Sequence, residues 1–393
     1  MPLTLATAGE SHGPRLTAIL EGIPAGLRVD VGFVQGELAR RQHGYGRGGR
    51  MKIEKDEPLF EGGLRGGVTL GSPIAIGIVN RDYANWEKVM GPLAVDEAAA
   101  AEKRLTRPRP GHADLAGGMK FGSKDLRDIL ERASARESAA RVAAGAVCKL
   151  LLRECGVEVR SGVLSVGAMS DDRSPRSFAS LEKVREGSPL RALDATLEAK
   201  MVEAVDEAKK QGDTLGGSIL VGARGVPAGL GSHVSWDRKL DGRIAQALMS
   251  VPAVKAVEFG SAIEASRGPG SRAHDEIERG SDGTLRRRTN RAGGLEAGVT
   301  NGQDVLAVVT MKPLSTLARG LDSVDLETQE ASRSAYERSD VTAVPACGVI
   351  AEAMLAFVLA DALLELTGGD RLEDVLSRLA AHRERVRRYP RNR

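Results

Sequence analysis

Eleven residues, RRQHGYGRGGR from Arg40 to Arg50, put four arginines and four glycines side by side. Arginine offers a planar fork of donors that fits carboxylate and phosphate oxygens two at a time, and glycine lets the backbone wrap around what the forks hold. The chemistry indicated is capture of a small, dense anion. A second loop, TRPRPGHADLAGG, points the same way. Pro108 and Pro110 stiffen it, so Arg107, Arg109 and His112 project from a pre-set frame and lose less freedom on binding. In GESHGPRL, Ser11, His12 and Arg15 lie among glycine-bearing turns. An imidazole with a reference pKa of about 6.5 can carry a proton at neutral pH, although a lone histidine serves structure as readily as catalysis.

Three further stretches add candidates. LERASARESAAR sets Arg132 and Arg136 four apart, on one face of an expected helix with Ser134 close by; Glu131 and Glu137 could equally make these arginines plain surface pairs, and spacing leaves both readings open. ERSDVTAVPA contributes Arg338, Ser339 and Asp340, and MKPLST places Lys312 and Thr316 just after a strand-like run, where a phosphate clamp would fit. Arginines crowded together without their ligand should repel one another, which predicts a mobile loop at 40–50 in the ligand-free protein.

Composition narrows the partners. A chain of 393 residues with 41% hydrophobic residues can bury a large core, and 56 Lys and Arg against 53 Asp and Glu leave a charge of only +3. The basic loop is therefore local, not part of a polyanion-binding field. Aromatic residues at 3% leave few platforms for unpaired bases. One arginine-glycine segment without repeats argues against an RNA-binding protein, and a flavin-free phosphotransferase predicts a phosphate-cradling loop or a metal-binding carboxylate cluster, of which the G-x-x-x-x-G-K-[ST] loop is not found. The start, MPLTLATAGES, has neither a basic leader nor an apolar run, so a cytoplasmic protein without membrane or nucleic-acid partners is expected. Cys148, Cys155 and Cys347 lack metal-ligand spacing and read as reduced thiols.

The elements that must position these residues are mixed. Asp125 to Glu154 has helical spacing throughout and predicts one long helix; Val349 to Leu366 predicts an apolar helix, and Arg371 to Arg388 a peripheral charged one. Glycine-broken runs such as GGVTLGSPIAIGIVN and DVLAVVTM predict strands. Without strict alternation of the two, an α+β layered fold is expected, while Ser161 to Lys200 shows no pattern. GIPAGL at Gly22 to Leu27 recurs as GVPAGL at Gly225 to Leu230, each after an apolar run and before an amphipathic helix at 31–42 or 236–250. This suggests one domain, 1–393, built of pseudo-repeat halves at about 1–155 and 212–370 with the helix 371–388 outside them.

Taken in order, TAGESHGPRLTAILEGIPAG, RRQHGYGRGGRM, TRPRPGHADLAGGMKF, ERASARESAARVAAGAV, GDTLGGSI, TNRAGGLEAGVTNGQ, MKPLSTL and ERSDVTAVPA resemble the signature blocks of chorismate synthases over nearly the whole chain. The resemblance implies a large β-α-β sandwich assembled as a homotetramer. It also implies a lyase of the shikimate pathway that eliminates phosphate and a ring proton from 5-enolpyruvylshikimate 3-phosphate, using reduced FMN without net oxidation. Members differ in whether NADPH reduces their flavin directly, and the sequence leaves that open. By the same resemblance Ser11, Arg41, Arg47, Arg50, Arg109, Ser134, Arg136 and Arg338 hold the substrate. His12 protonates the departing phosphate, His112 lies beside the flavin ring, and Asp340 lies near its N5 and assists ring deprotonation. Flavin contacts fall on Arg132, Ala133, Ser134, Ala253, Ala297, Lys312, Thr316 and Arg338. Ala297 stands where relatives usually carry glycine.

Overall fold

The computed structural model describes residues 2–49, 53–171, 176–281, 283–337 and 340–389. Its frame is two antiparallel sheets. The first runs in the order Thr4–Ala8, Arg15–Glu21, Ile74–Val79, Leu59–Gly62, with Thr4 opposite Glu21 and Arg15 opposite Val79. The second runs Val254–Phe259, Val305–Met311, Gly217–Arg224, Glu158–Val166, Met169–Ser170. Alternating apolar positions, such as Leu16, Ala18 and Leu20, turn one face of each sheet inward.

Between the sheets lie helices. Ser138–Glu154 packs on the first sheet, Val344–Thr367 on the second, and the two pack against each other. They cross at Gly145, where an added Cβ would come 2.4 Å from that of Ala353, so no larger residue fits. Val344–Thr367 is apolar on every side and long enough by composition to cross a membrane, and the fold buries it as its central helix. It carries Pro345 in its first turn and stops at Gly368, which takes φ +59°. Cys148, Cys155 and Cys347 are all buried free thiols, and burial pushes Cys148 and Cys347 up to about 12.

Two expectations are corrected. The long helix expected from 125 to 154 breaks: Arg127–Ala133 ends at Ser134, whose ψ of 141° is extended, a short turn follows at Ala135–Glu137, and Ser138–Glu154 then begins. Ser134 Oγ accepts the backbone N–H of Arg136 at 3.3 Å, the local alternative to a helical bond that serine favours. The stretch 161–200 is not featureless, since it holds most of Glu158–Val166 and the start of the helix Ala195–Lys210, which Asp194 caps. Strand Glu158–Val166 is mostly buried, so its sequence shows no clean alternation.

The two PAGL loops are built alike. Thr69 Oγ1 donates to Pro24 O at 2.6 Å and accepts from Leu27 N at 2.9 Å; Thr300 Oγ1 donates to Pro227 O at 2.7 Å and accepts from Leu230 N at 2.8 Å. The helix Leu372–Arg388 turns only Val375 and Leu379 fully inward. It ties both loops, through Leu372 N to Ala25 O and His382 Nε2 to Ala228 O.

Candidate active site

At one end of the helix layer a hollow of about 270 Å³ collects residues from distant stretches, including Ser11, His12, Arg41, Arg47, Arg109, His112, Ser134, Arg136, Thr316 and Asp340. Arg41 sits in the last turn of the helix Val31–Gln42 and is buried. Its Nη2 meets Asp56 Oδ2 at 2.6 Å. The helix break at Ser134 turns Arg136 inward as well. Arg136 Nε donates to Asn80 Oδ1 at 2.9 Å, Nη1 to Asp56, and Nη2 to Glu54 Oε2 at 3.5 Å. Arg132 and Arg136 therefore do not share a helix face: Arg132 stays exposed and donates to Thr7 O and Gly9 O.

The expected picture of unrelieved repulsion is thus revised, because buried carboxylates are interleaved with the arginines. Their neutralisation is incomplete. Burial pushes Arg41 below its usual range; Asp56 opposes that, and Arg136 and Arg47 add to it. Arg41 Nε is buried with no hydrogen-bond partner among the described residues. A buried donor without a partner is costly, so this corner favours an added anion. The loop that carries Arg47 is anchored at Tyr45 N to Pro189 O, Val341 N to Gly46 O, and Gly48 N to Asp340 Oδ1. Asp340 also pairs with Arg47. Arg50 and Arg338 lie outside the described residues.

The proline-stiffened loop ends in a tight triad. Asp114, first residue of the helix Asp114–Phe121, accepts Arg109 Nε at 2.8 Å and Nη2 at 3.0 Å, and lies 2.5 Å from His112 Nδ1. Burial raises its carboxyl, but the hydrogen bonds and charges of His112 and Arg109 outweigh this and hold it well below the usual range. Arg109 Nη1 donates to Thr316 Oγ1 at 2.8 Å, so Thr316 supports an arginine within the hollow. His12 stands opposite. Its Nδ1 lies 2.8 Å from Glu131 Oε1, its ring stacks on Trp86 with centroids 4.1 Å apart, and Ser11 N donates to Glu131 O.

A second cleft of about 500 Å³ shares His112, Val251 to Ala253, Leu314 and Ser315 with the hollow, and adds Arg132, Ala133, Lys255 and Lys312. One side is apolar. The other carries Lys312, whose Nζ donates to Ser315 Oγ at 2.7 Å and whose charge is opposed by burial and by Lys255. The arrangement can lay a flat ring on the apolar side with an anionic group among the cations. Ala253 takes φ +69° and its carbonyl accepts Lys312 N at 2.9 Å, which fixes the start of that wall. Ala297 is not brought here. It has φ +52° in the two-residue turn between Leu295–Glu296 and Val299–Thr300, so the position favours glycine for the turn itself.

Sequence reading missed Glu54, Asp56, Asp114, Glu131 and Trp86. Asp114 had a local signal, two residues beyond His112 in the same stiff loop. Glu54 and Asp56 sit in a plain charged run, and only folding shows their partners.

The family model described as chorismate synthase matches residues 3–364. A protein named chorismate synthase from Geobacillus thermodenitrificans (strain NG80-2) is 51% identical over 386 residues, covering 98% of each chain. One of the same name from Moorella thermoacetica is 53% identical over 382 residues, covering 97% of this chain and 98% of its own. A solved structure titled "Crystal Structure of Chorismate Synthase" superposes with a TM-score of 0.79 at 42% identity, covering 99% of each chain. Agreement of this extent, in sequence and fold together, establishes that the chain belongs to the chorismate synthase family.

Proposed function

We propose that the hollow binds 5-enolpyruvylshikimate 3-phosphate and that the cleft beside it binds reduced FMN, so that phosphate and a ring proton are eliminated to give chorismate. The observation that carries the reading is the meeting of Arg41, Arg47, Arg109, Arg136 and His12 around one hollow, with a buried donor of Arg41 still unpaired. A substrate with two carboxylates and a phosphate supplies the acceptor that Arg41 Nε lacks and fits the planar forks of the arginines beside it.

The cleft suits the cofactor on its own terms. Val251, Pro252, Ala253 and Leu314 offer an apolar wall for a planar ring, while Lys312, Lys255 and Arg132 offer cations for a phosphate. Bound there, reduced flavin would supply an electron-rich ring, with no net oxidation over the reaction. The chain's own residues do the rest. The arginines fix the substrate's anionic groups, Ser11 and Ser134 offer hydroxyls, and His12 gives its proton to the departing phosphate. His112, gripped by Asp114 at the junction of hollow and cleft, and Asp340, gripped by Gly48 N–H within the hollow, are the remaining proton carriers.

The same reading includes a cytoplasmic homotetramer, with NADPH as an outside reductant, on the family likeness. Exposed Met119, Phe121 and Trp236 are surface that further copies could cover, and Ala297 would reach a cofactor from such a copy. It also includes an internal duplication. The order Thr4–Ala8, Arg15–Glu21, Ile74–Val79, Leu59–Gly62 matches Glu158–Val166, Gly217–Arg224, Val305–Met311, Val254–Phe259, so the second unit begins near 158 and not at 212.

The test is phosphate release with the substrate and reduced FMN under anaerobic conditions. The chain should release it, and His12→Ala or His112→Ala should slow turnover on the order of 10²-fold or more. No release by the unaltered chain, or full turnover by both variants, would remove the reading.

A further inference from the structure

We infer that Glu131 is a positioning residue that decides which nitrogen of His12 carries the transferable proton, with Trp86 holding the plane of the ring. The inference rests on the reading of His12 as the acid for the departing phosphate.

Glu131 is buried in the helix Arg127–Ala133 and grips His12 twice. Its Oε2 accepts the His12 backbone N–H at 2.7 Å, and its Oε1 lies 2.8 Å from Nδ1. An ionised carboxylate can only accept, so Nδ1 must be the donor and carries a hydrogen whether the ring is neutral or charged. The proton that comes and goes is then on Nε2, which has no hydrogen-bond partner among the described residues, in a ring that lines the hollow. Burial raises the Glu131 carboxyl, yet the hydrogen bonds and charge of His12 and the charge of Arg127 outweigh it, so the carboxylate stays ionised.

The ring cannot readily turn over. Its face lies on Trp86 at 28° between planes, and the Arg127 guanidinium, 4.9 Å from the Trp86 centroid, also reaches Glu131 Oε1 at 3.3 Å and Glu337 at 2.9 Å. Rotating the imidazole would break the Glu131 contact and the stack together. The other charges around His12 are Asp82, Glu337 and Asp340 in the hollow, the arginines facing them, and Lys103 beyond Trp86. Among the carboxylates of the described residues, only Glu131 is bonded to the imidazole. In proton balance, His12 loses the Nε2 hydrogen to a phosphate oxygen as the carbon–oxygen bond breaks, keeps the Nδ1 hydrogen against Glu131, and regains the other from solvent.

The experiment reads the tautomer without substrate. In protein labelled with 15N-histidine, with His12→Ala to assign the signal, neutral His12 should show hydrogen on Nδ1 and a bare Nε2. Glu131→Gln should shift it toward the other tautomer. Because the acid must be charged to act, removing the carboxylate should also move the alkaline fall of kcat/KM to lower pH. Glu131→Asp should restore part of both. A hydrogen on Nε2 of neutral His12 in the unaltered protein overturns the inference even if Glu131→Gln does not fold. So does a Glu131→Gln protein with the original tautomer and pH profile. Undiminished turnover by His12→Ala would instead remove the acid role itself, an outcome that the tautomer does not depend on.

Discussion

The half of the chain before about residue 158 and the half after it each carry one of the two sheets, and they differ in what they lend to the site. The hydroxyls of Thr69 and Thr300 close their PAGL loops with the same pair of bonds, and each half pairs its strands in one order. The residues that line the hollow divide by half. From the first come His12, Arg41, Arg47, Arg109 and Arg136; from the second, alongside Glu337 and Asp340, come Val251, Ala253, Met311, Leu314, Ala346 and Ile350. Frame positions answer to backbone hydrogen bonding, so they stay alike, whereas connecting segments are free to differ. One half grips charge, and the other supplies a wall against which a ring can lie.

The comparison can be broken most forcefully at its ionic side. Arg136→Met removes the cation shared by the buried carboxylates of Asp56 and Glu54, leaving Arg41 on Asp56 and the Arg81 N–H on Glu54, and should lower unfolding free energy by about 3–5 kcal/mol in denaturant titrations. A loss comparable to an exposed ion pair would show that the carboxylates have other support. Thr69→Val and Thr300→Val sharpen the likeness: each should cost roughly 1–3 kcal/mol, and about the same in both halves, by orphaning one N–H and one carbonyl. Unequal losses would mean that the loops share geometry without sharing energetics.

Acid should act on the carboxylates that hold the site's arginines. Asp56 and Asp114 have folded pKa values below the unfolded value of about 3.9, so their stabilisation is complete above that pH and is lost as pH falls through the folded values. Asp114→Asn should therefore flatten the dependence of stability on pH below about 4, measured by denaturation at stepped pH; an unchanged slope would contradict the pairing. The smallest effect belongs to the two hairpin turns. Gly66 has φ +59° with nothing within 4 Å of an added Cβ, and Ala297 has φ +52° at the matching place. Gly66→Ala should destabilise and Ala297→Gly stabilise, each by roughly 0.5–1 kcal/mol, read as opposite shifts in Tm.

Much of this was legible beforehand because it is local. Pro108 and Pro110 announced a stiff loop, the repeat of Pro-Ala-Gly marked matching turns, and Arg40 to Arg50 marked a local cluster of cations. The break at Ser134 was hidden, since the residues around it all favour helix and the interruption is held by a serine hydroxyl and the burial of Arg136. Ala297 shows a related limit of sequence: a glycine-like position says that φ is positive, and not whether a turn or a ligand requires it.

By itself the sequence determined the kinds of group at the site and the family to which the chain belongs, because residue type, short-range spacing and block order survive without coordinates. The tertiary structure alone decided that Asp56 lies between Arg41 and Arg136, that Asp114 grips both Arg109 and His112, and that Glu131 stands behind His12. Those pairings join residues up to 119 positions apart. Electrostatic strength depends on distance and burial, and neither exists until the chain has folded.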